Sequence, residues 1–246
     1  MLDLSVCLIT CNEEKNIFRS LKSIWDIADE IIVVDTGSTD HTLSIAKNFK
    51  SRIFQIDWEE DFSKARNFAL DQARGRWVLI IDADEELLPE GKEALKILLN
   101  ESRAEGYFVQ ILNVLENKQI LKNRAVRLFR NRPEYRFKGR IHEQIVPSIL
   151  EKKPQSIFPS PIEFLHFGYH ESILLAKQER NLKIIEKELE VNPQDPFTLS
   201  NLGTTYFIMK NFRKAAENYE LALEYARKEE PYTATIFRNL ANTYLN

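Results

Sequence analysis

Apolar and polar positions alternate in blocks over residues 1–100. Residues 4–10 (LSVCLIT), 30–35 (EIIVVD), 52–57 (RIFQID) and 76–82 (RWVLIID) are short, nearly continuous apolar runs. Runs of this kind predict strands buried on both faces. Segments of helical period separate them. NEEKNIFRSLKSIWD aligns Ile17, Leu21 and Ile24 on one face, and STDHTLSIAKNF offers Thr39 or Asp40 as a cap. DFSKARNFALDQA turns Phe62, Ala65, Phe68 and Ala69 inward. Strands alternating with helices predict an α/β domain with a mostly parallel sheet, in which ligands bind at the carboxyl ends of the strands.

After Pro89 a helix is expected to about residue 100, followed by strand-like stretches at 106–114, 125–130 and 164–169. Arg and Lys cluster between 118 and 140, either as a solvated surface or as a flank for an anionic ligand. From residue 171 the pattern becomes helical throughout. Residues 172–193 form an amphipathic run, and Leu199, Leu202, Gly203, Tyr206, Phe212, Ala215, Tyr219 and Ala222 match the tetratricopeptide pattern. Phe237, Leu240, Ala241 and Tyr244 restart it, so the chain stops mid-repeat, as a truncated array or a capping half-repeat. The expected division is therefore 1–170 and 171–246.

The polar residues collect at the strand ends. The first strand runs into Thr10, Asn12 and Glu13, the second ends at Asp35, and the fourth runs from Trp77–Ile81 into Asp82, Asp84, Glu85 and Glu86. Carboxylates crowded together repel, and a divalent metal ion is the usual reason for such a cluster. The bland alternative for Asp82 and Asp84 is a turn with a cap for the helix after Pro89. Glu85 and Glu86 read as the start of a solvated turn. The glycine patterns of dinucleotide sites and P-loops are absent.

Composition narrows the class without changing the picture. With 43% hydrophobic and 29% charged residues and a net charge of −3, nothing suggests nucleic acid as a partner. The start lacks a basic signal-peptide region, no apolar run approaches a membrane span, and Cys7 and Cys11 read as reduced thiols, so a cytoplasmic protein is expected.

Four segments together, CLITCNEEKNI, EIIVVDTGSTDHT, FSKARNFALDQARGRWVLIIDADEEL and GRIHEQI, resemble family 2 glycosyltransferases of the GT-A fold. More narrowly they resemble the bacterial branch that joins this domain to tetratricopeptide repeats. The resemblance implies an inverting transfer from a nucleotide sugar, taken as a UDP-sugar, to a protein, peptide or glycan acceptor, assisted by Mn²⁺ or Mg²⁺. Asp84 would bind the metal, and Asp82 would reach the ribose or share the metal. Asp35 would contact the base, while Thr10 and Glu13 would line base and ribose. Asn12 would share that loop or cap the following helix. Arg66 would pair with a phosphate, against the plainer reading of an ion pair with Asp61 or Asp71. Glu143 would be the catalytic base, with His142 as its local competitor. His166 would be a further metal ligand or a core histidine. The segment Thr-Cys-Asn-Glu departs from the family, where Pro or Tyr often precedes Asn-Glu. The rivals are a nucleotidyltransferase, against which the acidic, glycine-free TCNEEKN counts, and an inactive repeat-containing binding protein. A homodimer through the repeats remains open.

Overall fold

The computed structural model describes residues 3–101, 103–115, 119–167, 171–230 and 232–246, with the backbone alone for 171–176. In chain order the elements are β1 (Leu4–Thr10), α1 (Ile17–Ile24), β2 (Glu30–Asp35), α2 (Thr42–Lys47), β3 (Arg52–Gln55), α3 (Phe62–Gln72), β4 (Trp77–Ile80), β5 (Glu85–Leu87), α4 (Pro89–Leu98), β6 (Gly106–Val114), β7 (Ile120–Arg130), α5 (Val146–Lys152) and β8 (Ile157–His166). Four helices follow: α6 (Glu171–Val191), α7 (Pro196–Ile208), α8 (Phe212–Tyr225) and α9 (Thr233–Tyr244).

The eight strands form one sheet in the order β3-β2-β1-β4-β7-β6-β8-β5. β1 to β4 pair in parallel, β7 runs antiparallel to both β4 and β6, β8 runs parallel to β6, and β5 closes the edge antiparallel to β8. The apolar runs explain the parallel half. In β4, Trp77 and Leu79 join one hydrophobic cluster with Ile17, Leu21 and Ile24 of α1. Val78 and Ile80 join a second cluster with Ala69 and Leu70 of α3. Successive side chains of a strand point to opposite faces, so a strand covered on both sides must be apolar throughout. Close packing also dictates Gly75. A Cβ there would sit 2.6 Å from the backbone nitrogen of Ser5.

The departures from expectation are local. β3 and β4 end earlier than the apolar runs. α2 begins at Thr42, with Asp40 accepting bonds from its backbone nitrogen (2.9 Å) and hydroxyl. β7 starts at Ile120, and α5 and β5 were not anticipated. β8 starts at Ile157, well before the expected 164–169, of which 168 and 169 lie outside the described residues. Its Pro159 and Pro161 disguise it. They are tolerated because the register with β6 shifts there and β5 pairs only with Phe164–His166, so their missing N–H groups break no ladder on that side.

The chain divides into two compact units. One holds the residues up to Lys138 and resumes at Glu143; the other holds Gly139–His142 and the chain from Glu171 onward. In the helical unit, α7 and α8 approach closely at Gly203, where a Cβ would meet the Tyr219 ring at 2.8 Å. Leu199, Ala215, Tyr219, Ala222 and Ile236 form its core. Asp195 and Asn211 accept bonds from the backbone nitrogens of Thr198 and Lys214, and so cap α7 and α8. Among the described residues no helix is long and apolar enough to cross a membrane.

Candidate active site

The carboxyl ends of β1 and β2 form the first part of the site. Thr10 is buried, and its Oγ1 has no hydrogen-bond partner among the described residues. Its carbonyl accepts a bond from the Thr36 nitrogen at 3.0 Å. Asn12 adopts a left-handed conformation (φ 55°), and its Oδ1 accepts a bond from the Thr39 nitrogen at 2.8 Å. It thus ties the β1 loop to the β2 loop. It does not cap α1, whose first turn follows Asn16. The Glu13 nitrogen donates to Thr42 Oγ1 (2.7 Å), and Glu13 Oε2 accepts from Asn16 Nδ2 (2.8 Å). Asp35 is fully buried and accepts bonds from the nitrogens of Gly37 (3.2 Å) and Ser38 (3.0 Å) and from the Ser38 hydroxyl. It holds its own turn.

Beyond β4 the four acids separate into distinct roles. Both oxygens of Asp82 are engaged by arginines: Oδ1 by Arg66 at 2.8 Å and Oδ2 by Arg127 at 2.7 Å. Arg127 also reaches Glu85 at 3.2 Å, and the Arg66 Nε donates to Glu143. The second Glu85 oxygen accepts from the Asp82 nitrogen at 2.9 Å. Three carboxylates and two guanidiniums thus form one network. Burial works against the charged form of Asp82, but Arg127 and Arg66 outweigh it and hold its carboxyl well below the ordinary range. Burial pushes Glu85 up, with the Asp82 charge adding to the effect and Arg127 opposing it.

Several expectations are corrected here. Glu85 does not begin a solvated turn: it is 2% exposed and starts β5, opposite His166. Glu86 lies in β5 as well and pairs with Arg19 at 3.7 Å. Arg66 pairs with neither Asp61 nor Asp71, because Asp61 caps α3 through the Lys64 nitrogen and Asp71 pairs with Arg136. Asp82 has both oxygens on arginines. Glu143 is in the site through Arg66, whereas His142, at φ 53°, is exposed and grouped with the helical unit.

Asp84 takes a separate partner. Its Oδ2 lies 3.2 Å from His166 Nε2, a consequence of the β5–β8 pairing, which sets Glu85 opposite His166. Burial lowers the affinity of His166 for a proton, but the Asp84 bond and the surrounding acidic charge outweigh it and raise its pKa. A carboxylate oxygen and an imidazole nitrogen this close suit a divalent cation such as Mn²⁺. Among the described residues no group of three acid, His or Cys donors converges as a complete metal cage. A shared site of this kind is ordinary for ions that keep positions open for substrate phosphates.

Two residues of the site escaped the sequence reading. Arg127 was lost in the basic stretch, although it stands alone inside the apolar AVRLF, at the irregularity where the β6–β7 register passes from Leu128 to Val126. Asn113 was hidden in ILNVL; an amide inside an apolar strand is the signal that marks it.

The chain matches the model of the family described as Glycosyl transferase family 2 over residues 5–149, and it belongs to that family. It is 34% identical over 250 residues to a TPR repeat-containing protein of Synechococcus elongatus, covering 98% of this chain and 61% of that one. The chain thus spans less than two thirds of that relative's length. Among solved structures it resembles residues 1–349 of TarS from S. aureus in complex with UDP-GlcNAc (TM-score 0.60, 16% identity, 99% of this chain and 89% of that one). It also resembles glucosyl-3-phosphoglycerate synthase from Mycobacterium tuberculosis in complex with Mn²⁺, UDP and phosphoglyceric acid (TM-score 0.53, 16% identity, 73% and 78%). The two solved structures show that the chain has a GT-A-like α/β fold.

Proposed function

We propose that this chain is an inverting, metal-dependent glycosyltransferase that moves a sugar from a UDP-sugar to a protein, peptide or glycan acceptor. The observation that carries the reading is the Asp84–His166 pair beside the arginine–carboxylate network at the end of β4. Asp84 and His166 would hold Mn²⁺ or Mg²⁺, and the solved relative with Mn²⁺ and UDP supports that choice. When bound, the cation neutralises charge developing on the leaving diphosphate. Asp82 keeps Arg66 and Arg127 oriented as cations on the phosphate side, with fork geometry suited to phosphate oxygens. The orphaned Thr10 hydroxyl takes up a polar group of the base or ribose, since a buried unpartnered hydroxyl is costly unless a ligand satisfies it. Asn12, Glu13 and Asp35 shape the adjoining nucleotide loop, and Asp35 faces the base.

Single displacement at the anomeric carbon needs a base for the acceptor's proton. Glu143 fills that role: Arg66 fixes one of its oxygens, and the other takes the proton. The helical unit, read as tetratricopeptide repeats on its small and aromatic positions and on the relative of that description, presents the acceptor. Self-association through the helices is the competing role, and sedimentation decides it.

The test is a panel of sugar nucleotides with Mn²⁺. Release of nucleoside diphosphate, abolished by EDTA, is expected. Release of pyrophosphate would instead indicate a nucleotidyltransferase, and no turnover or binding with any donor would indicate an inactive binding protein.

A further inference from the structure

Asn113 is 3% exposed and sits in the middle of the sheet, between β7 and β8. Its register partner on β7 is Leu121, and on β8 it is His166. A polar side chain inside an apolar strand costs free energy unless both ends of its amide are bonded. Both are. Nδ2 donates to the Leu121 carbonyl at 2.9 Å, which turns Oδ1 toward His166 Nδ1 at 2.8 Å. An amide oxygen can only accept, so Nδ1 must carry a hydrogen. The other ring nitrogen, Nε2, is the one 3.2 Å from Asp84.

We infer that Asn113 is a positioning residue: by holding the hydrogen on His166 Nδ1 it fixes the ring so that Nε2, the nitrogen that donates to Asp84, is the one that gives up its proton to a divalent cation. The inference rests on the metal reading above. The chain of influence runs across three strands: the Leu121 carbonyl orients the amide, the amide orients the ring, and the ring supplies a ligand. A partner on the second nitrogen fixes both ring rotation and tautomer, and its loss typically costs about 10–100-fold in metal affinity. Neither His166 nor Asn113 is near Asp84 in sequence; the β5–β8 and β6–β8 pairings bring them together.

The experiment combines two measurements on the full chain. The first is the dissociation constant of UDP in Mn²⁺ and in EDTA, the ratio being the gain due to the metal. The second is ¹⁵N NMR of labelled histidine with Mg²⁺ and UDP, which reports whether His166 keeps its hydrogen on Nδ1 and yields Nε2, without turnover. Asn113→Leu is expected to reduce the metal-linked gain about 10–100-fold, leave UDP affinity in EDTA unchanged, and remove the single Nδ1–H form. Asn113→Asp keeps an acceptor and is expected to retain both the gain and the tautomer. A full metal-linked gain and an unaltered histidine spectrum in folded Asn113→Leu would overturn the inference. So would loss of both in folded Asn113→Asp. If Asn113→Leu does not fold, the Asp variant decides alone. If wild type gains nothing from Mn²⁺ and His166→Ala changes nothing, the metal reading itself fails and takes the inference with it. That outcome is distinguishable because it appears in the wild-type chain, before any change at Asn113.

Discussion

The two halves of the sheet hold their polar side chains in different ways. On the β1–β3 side, three acids bond within their own next few residues, Asp35 to Gly37 and Ser38, Asp40 to Thr42, and Asp61 to Ser63 and Lys64, and the longer-range bonds there, Asp40 from Glu14 and Asn12 from Thr39, join one loop to the loop beside it. On the β4–β8 side, partners come from distant elements: Asp82 from Arg127, Glu143 from Arg66 and His166 from Asn113. The first half shapes loops, each held by its own residues and by the adjacent loop. The second half assembles charges from distant elements, which only the completed sheet can bring together.

This contrast yields predictions of decreasing size. The largest concerns Glu143. Glu143→Gln should lower transfer about 10²–10⁴-fold, the range for a lost general base, with little change in donor affinity. His142→Ala is the matched control and should transfer normally. Steady-state kinetics with calorimetric donor binding checks both; the reverse pattern would move the base to His142.

The second prediction sets a distant partner against a local one. Arg127→Leu leaves Asp82 and Glu85 without a shared cation, and breaking one side of a buried pair costs about 3–5 kcal/mol. Asp61→Ala removes only a helix cap, worth about 1 kcal/mol. All three tryptophans, Trp25, Trp58 and Trp77, lie in the sheet-bearing unit, so urea unfolding followed by tryptophan fluorescence reports on the affected unit. Equal losses for the two variants would erase the distinction between the halves.

The smallest effect is at Glu30. Burial opposes its charge, but bonds from the Ser5 hydroxyl (2.6 Å), the Arg74 nitrogen (2.6 Å) and Arg52 (2.7 Å) outweigh it and hold its carboxyl below the ordinary value. A carboxyl depressed in the folded state contributes stability above its unfolded pKa and loses it as pH falls through the folded value. Glu30→Gln should therefore cost at most about 1 kcal/mol at neutral pH, and the difference from wild type should vanish in acid. A difference that persisted at low pH would mean the carboxylate's charge is not what matters.

Legibility in the sequence followed the same divide. β1, β2 and the helix after Pro89 were readable because burial on two faces and helical period each leave a mark on consecutive residues. Glu85 was misread because its neutralising partner, Arg127, is 42 residues away, and nothing local distinguishes a buried glutamate from a solvated one. β5 escaped notice because its three residues, two of them acidic, have no strand-like pattern. They become a strand only when β8 offers its edge. β8, interrupted by two prolines, was visible only near its end.

The turn from Asp82 to Asp84 has a thermodynamic consequence. It is fastened on one side by two arginines and on the other by the pairing of β5 with β8, and the Asp84 carbonyl accepts from Phe167 at 3.1 Å. Ordering a backbone residue costs about 1–2 kcal/mol, and here folding has already imposed that order on the three residues proposed to meet the donor. Donor association should therefore carry a small unfavourable entropy and little slow-phase kinetics, the calorimetric signature of a rigid receptor.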